Sequence, residues 1–151
     1  MKVAADNAVR LEIFVEAPPQ TVFAFFTDPE KMRRWMGTAH TLEPRPGGTW
    51  HVEVRPGNVA RGQFKEVVPY RRIVFSWGWE KGGISGIPPG STTVEISLEP
   101  EGSGTRVRLV HSGLPNSAIG DHTKGWTHFL GRLSIAGAGG DPGPDRPGEA
   151  T

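Results

Sequence analysis

The stretch from Ser117 to Ala136 constrains this chain more than any other. At about 100° per residue, Ile119, His122, Trp126, Phe129, Leu130 and Leu133 fall within an arc of roughly 100°. Asp121, Lys124, His128 and Arg132 gather on the opposite side, where they read as a solvated face. A helix patterned this way has to lay its aromatic stripe on an apolar surface. The chain just before it supplies one, because from Thr49 to His111 the apolar period is two, the spacing of strands.

Taken in order, Val9 to Ala17 alternates with Leu11, Ile13, Val15 and Ala17 on one side, which predicts a half-buried strand. Pro18-Pro19 stops it, and Pro19 opens a short helix, since the first turn needs no N–H donor there. Val22, Phe23 and Phe26 form that helix's apolar face. Asp28-Pro29 reads as an N-cap followed by proline at the first helical position, starting a second short helix through about Trp35. Strands follow. Thr49 to Arg55 puts Trp50, Val52 and Val54 inward and His51, Glu53 and Arg55 outward. Val59 to Val68 puts Gly62, Phe64 and Glu66 in one register. Arg72 to Glu80 puts Ile73, Phe75, Trp77 and Trp79 on one face. Lys81 to Ser91, rich in glycine and proline, reads as a loop near a pocket mouth. Val94, Ile96 and Leu98 point inward from the next strand, and Val107, Leu109 and His111 from the last.

Hairpin-linked strands followed by one long helix predict an α+β domain: a curved antiparallel sheet of six or seven strands wrapped around a long C-terminal helix, with two short helices after the first strand. The domain spans residues 9–135. Residues 1–8 are expected to fray. The tail 136–151, with five glycines and three prolines, cannot bury enough apolar area to order itself. One helix cannot fill a strongly curved sheet, and five tryptophans on different elements surround the remaining space, so a cavity is expected between them.

Bulk numbers close off other classes. A formal net charge of +1 gives no electrostatic footprint for nucleic acid or anionic membrane. The two short helices form a helix–turn–helix shape without a basic recognition face. There is no cysteine, which excludes thiolate chemistry and disulfides. No run approaches the roughly 18 apolar residues of a membrane span, and the N-terminus lacks the apolar core of a secretory signal. A cytoplasmic location fits.

Several stretches together carry a family resemblance. These are VEAPPQTVFAFFTDPEKMRRW at Val15–Trp35, GGTWHVEV at Gly47–Val54, GQFKEVVPYRRIVFSWGW at Gly62–Trp79, VEISLEPEGSGTRVRLVHSGLP at Val94–Pro115 and HTKGWTHFLGRL at His122–Leu133. In this order and spacing the chain resembles the SRPBCC superfamily of START-like and Bet v 1-like helix-grip folds. Within it, the chain resembles the branch named for an activator of a heat-shock-protein ATPase. The resemblance covers Leu11 to Leu133. It implies the helix-grip fold and a hydrophobic ligand, since relatives bind lipids, polyketides or other apolar molecules. Some relatives cyclise or dehydrate polyketides, and one type confers resistance to a reactive natural product. The branch name implies a link to chaperones and stress response, though nothing patch-like in this sequence supports a chaperone partner.

The candidate ligand-binding residues are Trp35, Trp50, Phe64, Phe75, Trp77, Trp126 and Phe129 as walls and His111 and His122 as polar contacts. Each tryptophan reads either as a stacking surface or as ordinary core. His111 and His122 either orient a ligand and move a proton or bond nearby backbone groups at the strand–helix junction. Used as acid or base, they would make the same cavity a cyclase or dehydratase site. Two histidines without a third inward ligand do not make a metal site, and no cofactor motif is present. Ser112 and Ser117 lack a nucleophile elbow. Glu66 is either a pocket acid or the partner of Arg72. Gly125, near the edge of the helix's inner face, makes room either for a ligand or for close approach to a strand.

Overall fold

The period-two pattern of residues 49–111 becomes five strands, and two more precede them. A computed structural model describes residues 8–80 and 86–145. The elements are β1 (Ala8–Val15), α1 (Pro19–Thr27), α2 (Pro29–Met32), β2 (Ala39–Leu42), β3 (Thr49–Arg55), β4 (Asn58–Val68), β5 (Arg72–Trp77), β6 (Thr92–Glu101), β7 (Gly104–Ser112) and α3 (Asn116–Gly137). All seven strands form one antiparallel sheet in the order β1-β7-β6-β5-β4-β3-β2. This is the expected α+β helix-grip architecture. The expected β5 is shorter, because the chain leaves the ladder after Trp77. Trp79 keeps only a single bridge, to Ala60.

Local chemistry explains the two short helices. α1 starts with Pro19 behind Pro18 and has no side-chain cap, which a proline start tolerates. At α2 the carboxylate of Asp28 accepts from the Glu30 backbone N–H at 2.9 Å, as its position before Pro29 predicts. The regular helix ends at Met32, and single turns carry the chain on to Met36 through bonds to the Met32 carbonyl.

The long helix is not clamped evenly. Its C-terminal half lies on β1, where Ser134 Oγ donates to the Phe14 carbonyl at 3.0 Å. Gly137 approaches so closely that a Cβ there would sit 2.6 Å from Val15 Cγ1. Leu130, Leu133 and Ala136 are fully buried in this half. The N-terminal half instead faces aromatic side chains of β5 and β7. That unequal clamping leaves space under the first turns.

Three departures from the sequence reading have physical causes. A β-bulge between Phe64 and Glu66 turns Phe64 into the core and Glu66 out, although strict alternation puts them together. Glu66 then pairs with Arg72 at 3.0 Å and is no pocket acid. A second register shift, between Glu53 and Arg55, leaves the alternation of β3 intact, and Arg55, expected outward in solvent, is half-buried because Asp145 and the Phe129 ring cover it.

The third departure concerns the tail. α3 includes Ala136 and Gly137, and Asp145 is held by Arg55 and His128. His128 and Arg132, expected in solvent, are half-buried, His128 bonded to Asp145 and Arg132 to the Trp35 and Pro142 carbonyls. Ala8 is already paired, with Ser112. Residues 1–7, 81–85 and 146–151 lie outside the described residues, and with them the rest of the expected frayed ends and part of the expected loop. No helix among the described residues is long and apolar enough to cross a membrane.

Candidate functional site

Where α3 lifts from the sheet, a cavity of about 310 Å³ remains. Trp77, Trp79, Trp126 and Phe129 wall it, with buried Met36 and Val54, and exposed Asn58, Asp121 and Lys124 stand at its mouth. Gly125 settles one alternative: a Cβ there would meet nothing within 4 Å, so this glycine opens space and does not serve close packing.

Trp77 is the hub of the aromatic wall. Its ring centroid lies 5.3 Å from Trp50, 5.2 Å from Trp79, 5.3 Å from Trp126 and 5.4 Å from His111. All are tilted or edge-on, the arrangements that ring quadrupoles favour. Of the nine residues expected at the site, Trp77, His122, Trp126 and Phe129 line the cavity. His111 sits directly behind, its ring 5.5 Å from that of His122. The others lie deeper. Trp50 stacks on Phe75 at 4.3 Å, and Phe64 packs edge-on to Phe75. Trp35 is buried under α1, where its indole N–H donates to the Phe25 carbonyl at 2.8 Å. These four are core walls that support the lining without touching the space. Period-two spacing marks the inward face of a strand, and it cannot separate the layer against the void from the layer behind.

Both imidazoles are fully engaged. Trp126 Nε1–H donates to His111 Nδ1 at 3.0 Å, so Nδ1 carries no proton. His111 Nε2 must then be the N–H donor to Thr92 Oγ1 at 2.8 Å, and the Thr92 hydroxyl donates onward to the Trp77 carbonyl at 2.8 Å. His122 is the other tautomer. It accepts from Trp79 Nε1–H at Nε2, 3.1 Å, and donates from Nδ1 to the Ala118 carbonyl at 2.9 Å. Burial, with the neighbouring His122 adding to it, pushes His111 down to about 3. Burial also lowers His122, against a smaller upward pull from the Ala118 carbonyl and Asp121. Two neutral imidazoles in fixed tautomers hold three tryptophans in place. Of the expected backbone bonds only one is present, from His122 to the Ala118 carbonyl, while both partners of His111 are side chains.

Arg55 and the C-terminal segment form a second feature that the sequence reading missed. Behind the cavity, and sharing Met36, Val54 and Arg55 with it, runs a cleft of about 780 Å³ between residues 33–38 and 139–145. Arg55 stands between the two spaces with its guanidinium 5.1 Å over the Phe129 ring. Its Nε reaches Asp145 Oδ2 at 3.2 Å, and His128 Nε2 donates to Asp145 Oδ1 at 2.7 Å. Burial by itself would raise the Asp145 carboxyl, but the bonds from His128 and Arg55 outweigh it and hold the group below its ordinary value. No signal in the sequence marks Arg55, because it holds an ordinary outward position at the end of β3 and is covered by residues far along the chain. Among the described residues no group of three or more potential ligands could hold a metal ion.

Known proteins bear out the architecture. The family model described as activator of Hsp90 ATPase homolog 1-like protein matches residues 16–136. The chain is 24% identical over 132 residues to the human activator of 90 kDa heat shock protein ATPase homolog 1, an alignment covering 85% of this chain and 36% of that protein. This chain thus spans little more than a third of that relative. The solution structure of an AHSA1-like protein from Rhizobium etli shares 51% identity, with a TM-score of 0.72 over 91% of this chain and 86% of that one. DynU16, a protein of the dynemicin biosynthetic locus, shares 27% identity, with a TM-score of 0.77 over 91% of this chain and 49% of its own. The chain belongs to the activator of Hsp90 ATPase homolog 1-like family, within the SRPBCC superfamily.

Proposed function

We infer that the protein binds a small, mainly aromatic or lipid-like molecule in the cavity between the sheet and α3. The observation that carries this reading is the open, tryptophan-lined space beside Gly125. A glycine in the body of a helix costs about 1 kcal/mol relative to alanine, and here no close packing compensates for it. At about 310 Å³ the cavity lies at the low end of ligand pockets, which favours a compact ligand of one or two rings. The neighbour from the dynemicin locus adds support, since a biosynthetic locus is a setting for small molecules. Acid–base catalysis fits less well. Each histidine nitrogen already has a partner inside the protein, and burial keeps both rings neutral.

Gly125→Leu tests the reading. The side chain grows into the cavity and removes the helix penalty, so Tm should hold or rise. The neutral probe N-phenyl-1-naphthylamine should brighten on binding to the wild type, and its affinity should fall about tenfold or more in the variant. Equal binding to both proteins would place the probe elsewhere and remove the cavity from consideration. A chaperone contact, the other role that the family's name carries, is separable, because such a partner would bind Gly125→Leu as well as the wild type.

A further inference from the structure

Most of the cavity wall is apolar, and Arg55 is the one charged side chain on it that is set back from the exposed mouth. A guanidinium presents five N–H donors in a planar fork that matches a carboxylate bidentately. Here the fork is only half used. Nε meets Asp145 at a long 3.2 Å, while Nη2 is buried and has no hydrogen-bond partner among the described residues. The indole N–H of Trp77, a cavity wall, is also buried and without a partner. The Trp50 indole in the core is unpaired too, so the indole of Trp77 is no sign of a ligand, but Nη2 belongs to a guanidinium whose one partner is Asp145, and a buried donor left unpaired is costly. Asp121 and Lys124 at the mouth carry opposite charges, so Arg55 decides the sign of the interior.

Asp145 shows what the site accepts. It is a carboxylate delivered by a segment of alternating glycine and proline, and its contacts are Arg55 and His128. The other side-chain contact that ties this segment to α3 is a weak one, Arg132 Nη1 to the Pro142 carbonyl at 3.4 Å. Backbone bonds from Gly139 and Gly140 fix the start of the segment to the end of α3, and residues 141–145 beyond them, held by these few side-chain bonds among the described residues, are easily exchanged.

We propose that the cavity takes an aromatic or acyl monocarboxylic acid, its apolar body against Trp77, Trp126 and Phe129 and its carboxylate on the Arg55 fork in place of Asp145. This rests on the apolar-cavity reading above and adds the class of ligand. The C-terminal segment is then an intramolecular competitor: the ligand's acid displaces Asp145, and residues 141–145 undock. Guanidinium–carboxylate pairing above an aromatic face, shielded from water, is where such a bond is strongest.

Naphthalene-2-carboxylate and its neutral analogue 2-naphthalenemethanol separate the possibilities, with affinities from titration calorimetry and tryptophan fluorescence. The wild type should prefer the acid by about tenfold or more. Arg55→Met should abolish that preference, the acid losing about tenfold or more relative to the alcohol. Asp145→Asn, on a peripheral segment where folding is not at stake, should tighten the acid several-fold and leave the alcohol alone. Equal affinity for acid and alcohol in all three proteins overturns the carboxylate assignment and leaves the apolar cavity standing. If neither compound binds even Asp145→Asn, and N-phenyl-1-naphthylamine also fails, both readings fall. If Asp145→Asn weakens the acid, the tail belongs to the binding site and does not compete for it.

Discussion

Replacing His111 with alanine is expected to lower the unfolding free energy by roughly 3–5 kcal/mol, which shifts Tm down by about 10 °C in a domain of this size. His111 is fully buried and serves two tryptophan-bearing elements at once. It accepts the Trp126 indole N–H from α3 and, through Thr92, ties β6 to the Trp77 carbonyl on β5. The truncation strands a buried indole donor, at about 1–3 kcal/mol, and leaves a void where the ring was, at a similar further cost. His111→Phe separates the two terms. It fills the volume but cannot accept, so it should lose only the hydrogen-bond part, and less again when Trp126→Phe has already removed the donor. Urea unfolding of the four proteins gives the coupling energy. A His111→Ala protein within 1 kcal/mol of wild type would show that this network does not hold the helix. The contrast with an acid–base role is direct: a catalytic imidazole can be removed with the fold intact, and this one should not be.

The network also marks how far the sequence could be read. Switching periods, from two over residues 49–111 to 3.6 after Ser117, was enough to place the sheet, the terminal helix and most inward-facing residues. Prolines and the Asp28 cap placed α1 and α2. One failure falls where a strand gains a residue. At Phe64–Glu66 the bulge changes which face a side chain takes, and periodicity carries no record of an inserted residue. Arg55 keeps its outward position at the end of β3, and the Asp145 and Phe129 contacts that cover it come from distant parts of the chain. Composition misled at the tail for a related reason. Glycine and proline forecast a segment unable to pay its own ordering entropy, yet Asp145 needs only two partners, and both come from elements already fixed. Alternation found the aromatic residues but not their depth, because Trp50, Phe64 and Phe75 share a face with Trp77 and are packed one layer behind it.

Acidification should destabilise the protein well above the pH at which carboxylates titrate. His111, His122 and His40 all have folded-state values below the ordinary imidazole, each chiefly through burial, and His111 lies at about 3. An imidazole depressed in the folded state binds its proton more readily once unfolded, near pH 6.5. The stability tied to neutral His111 is therefore complete above about pH 6.5 and declines as pH falls from there toward 3, by about 1.4 kcal/mol per pH unit once well inside the window. By pH 4.5 this one residue accounts for a loss of about 3 kcal/mol, with His122 and His40 adding to it while they remain above their own folded values. The carboxylates held low by hydrogen bonds, Glu43, Glu53, Glu101 and Asp145, also destabilise on acidification. Their stability is present above their unfolded values, near pH 4, and disappears only as pH drops further. The interval from pH 6.5 to 5 thus isolates the histidines. Urea midpoints measured at half-unit steps should slope downward there, and in His111→Phe the slope should shrink by about one proton's worth. A flat profile between pH 7 and 5 would mean that the imidazoles ionise inside the folded protein, and with that the neutral, tautomer-locked junction beneath the cavity would be lost as an account of how α3 is held.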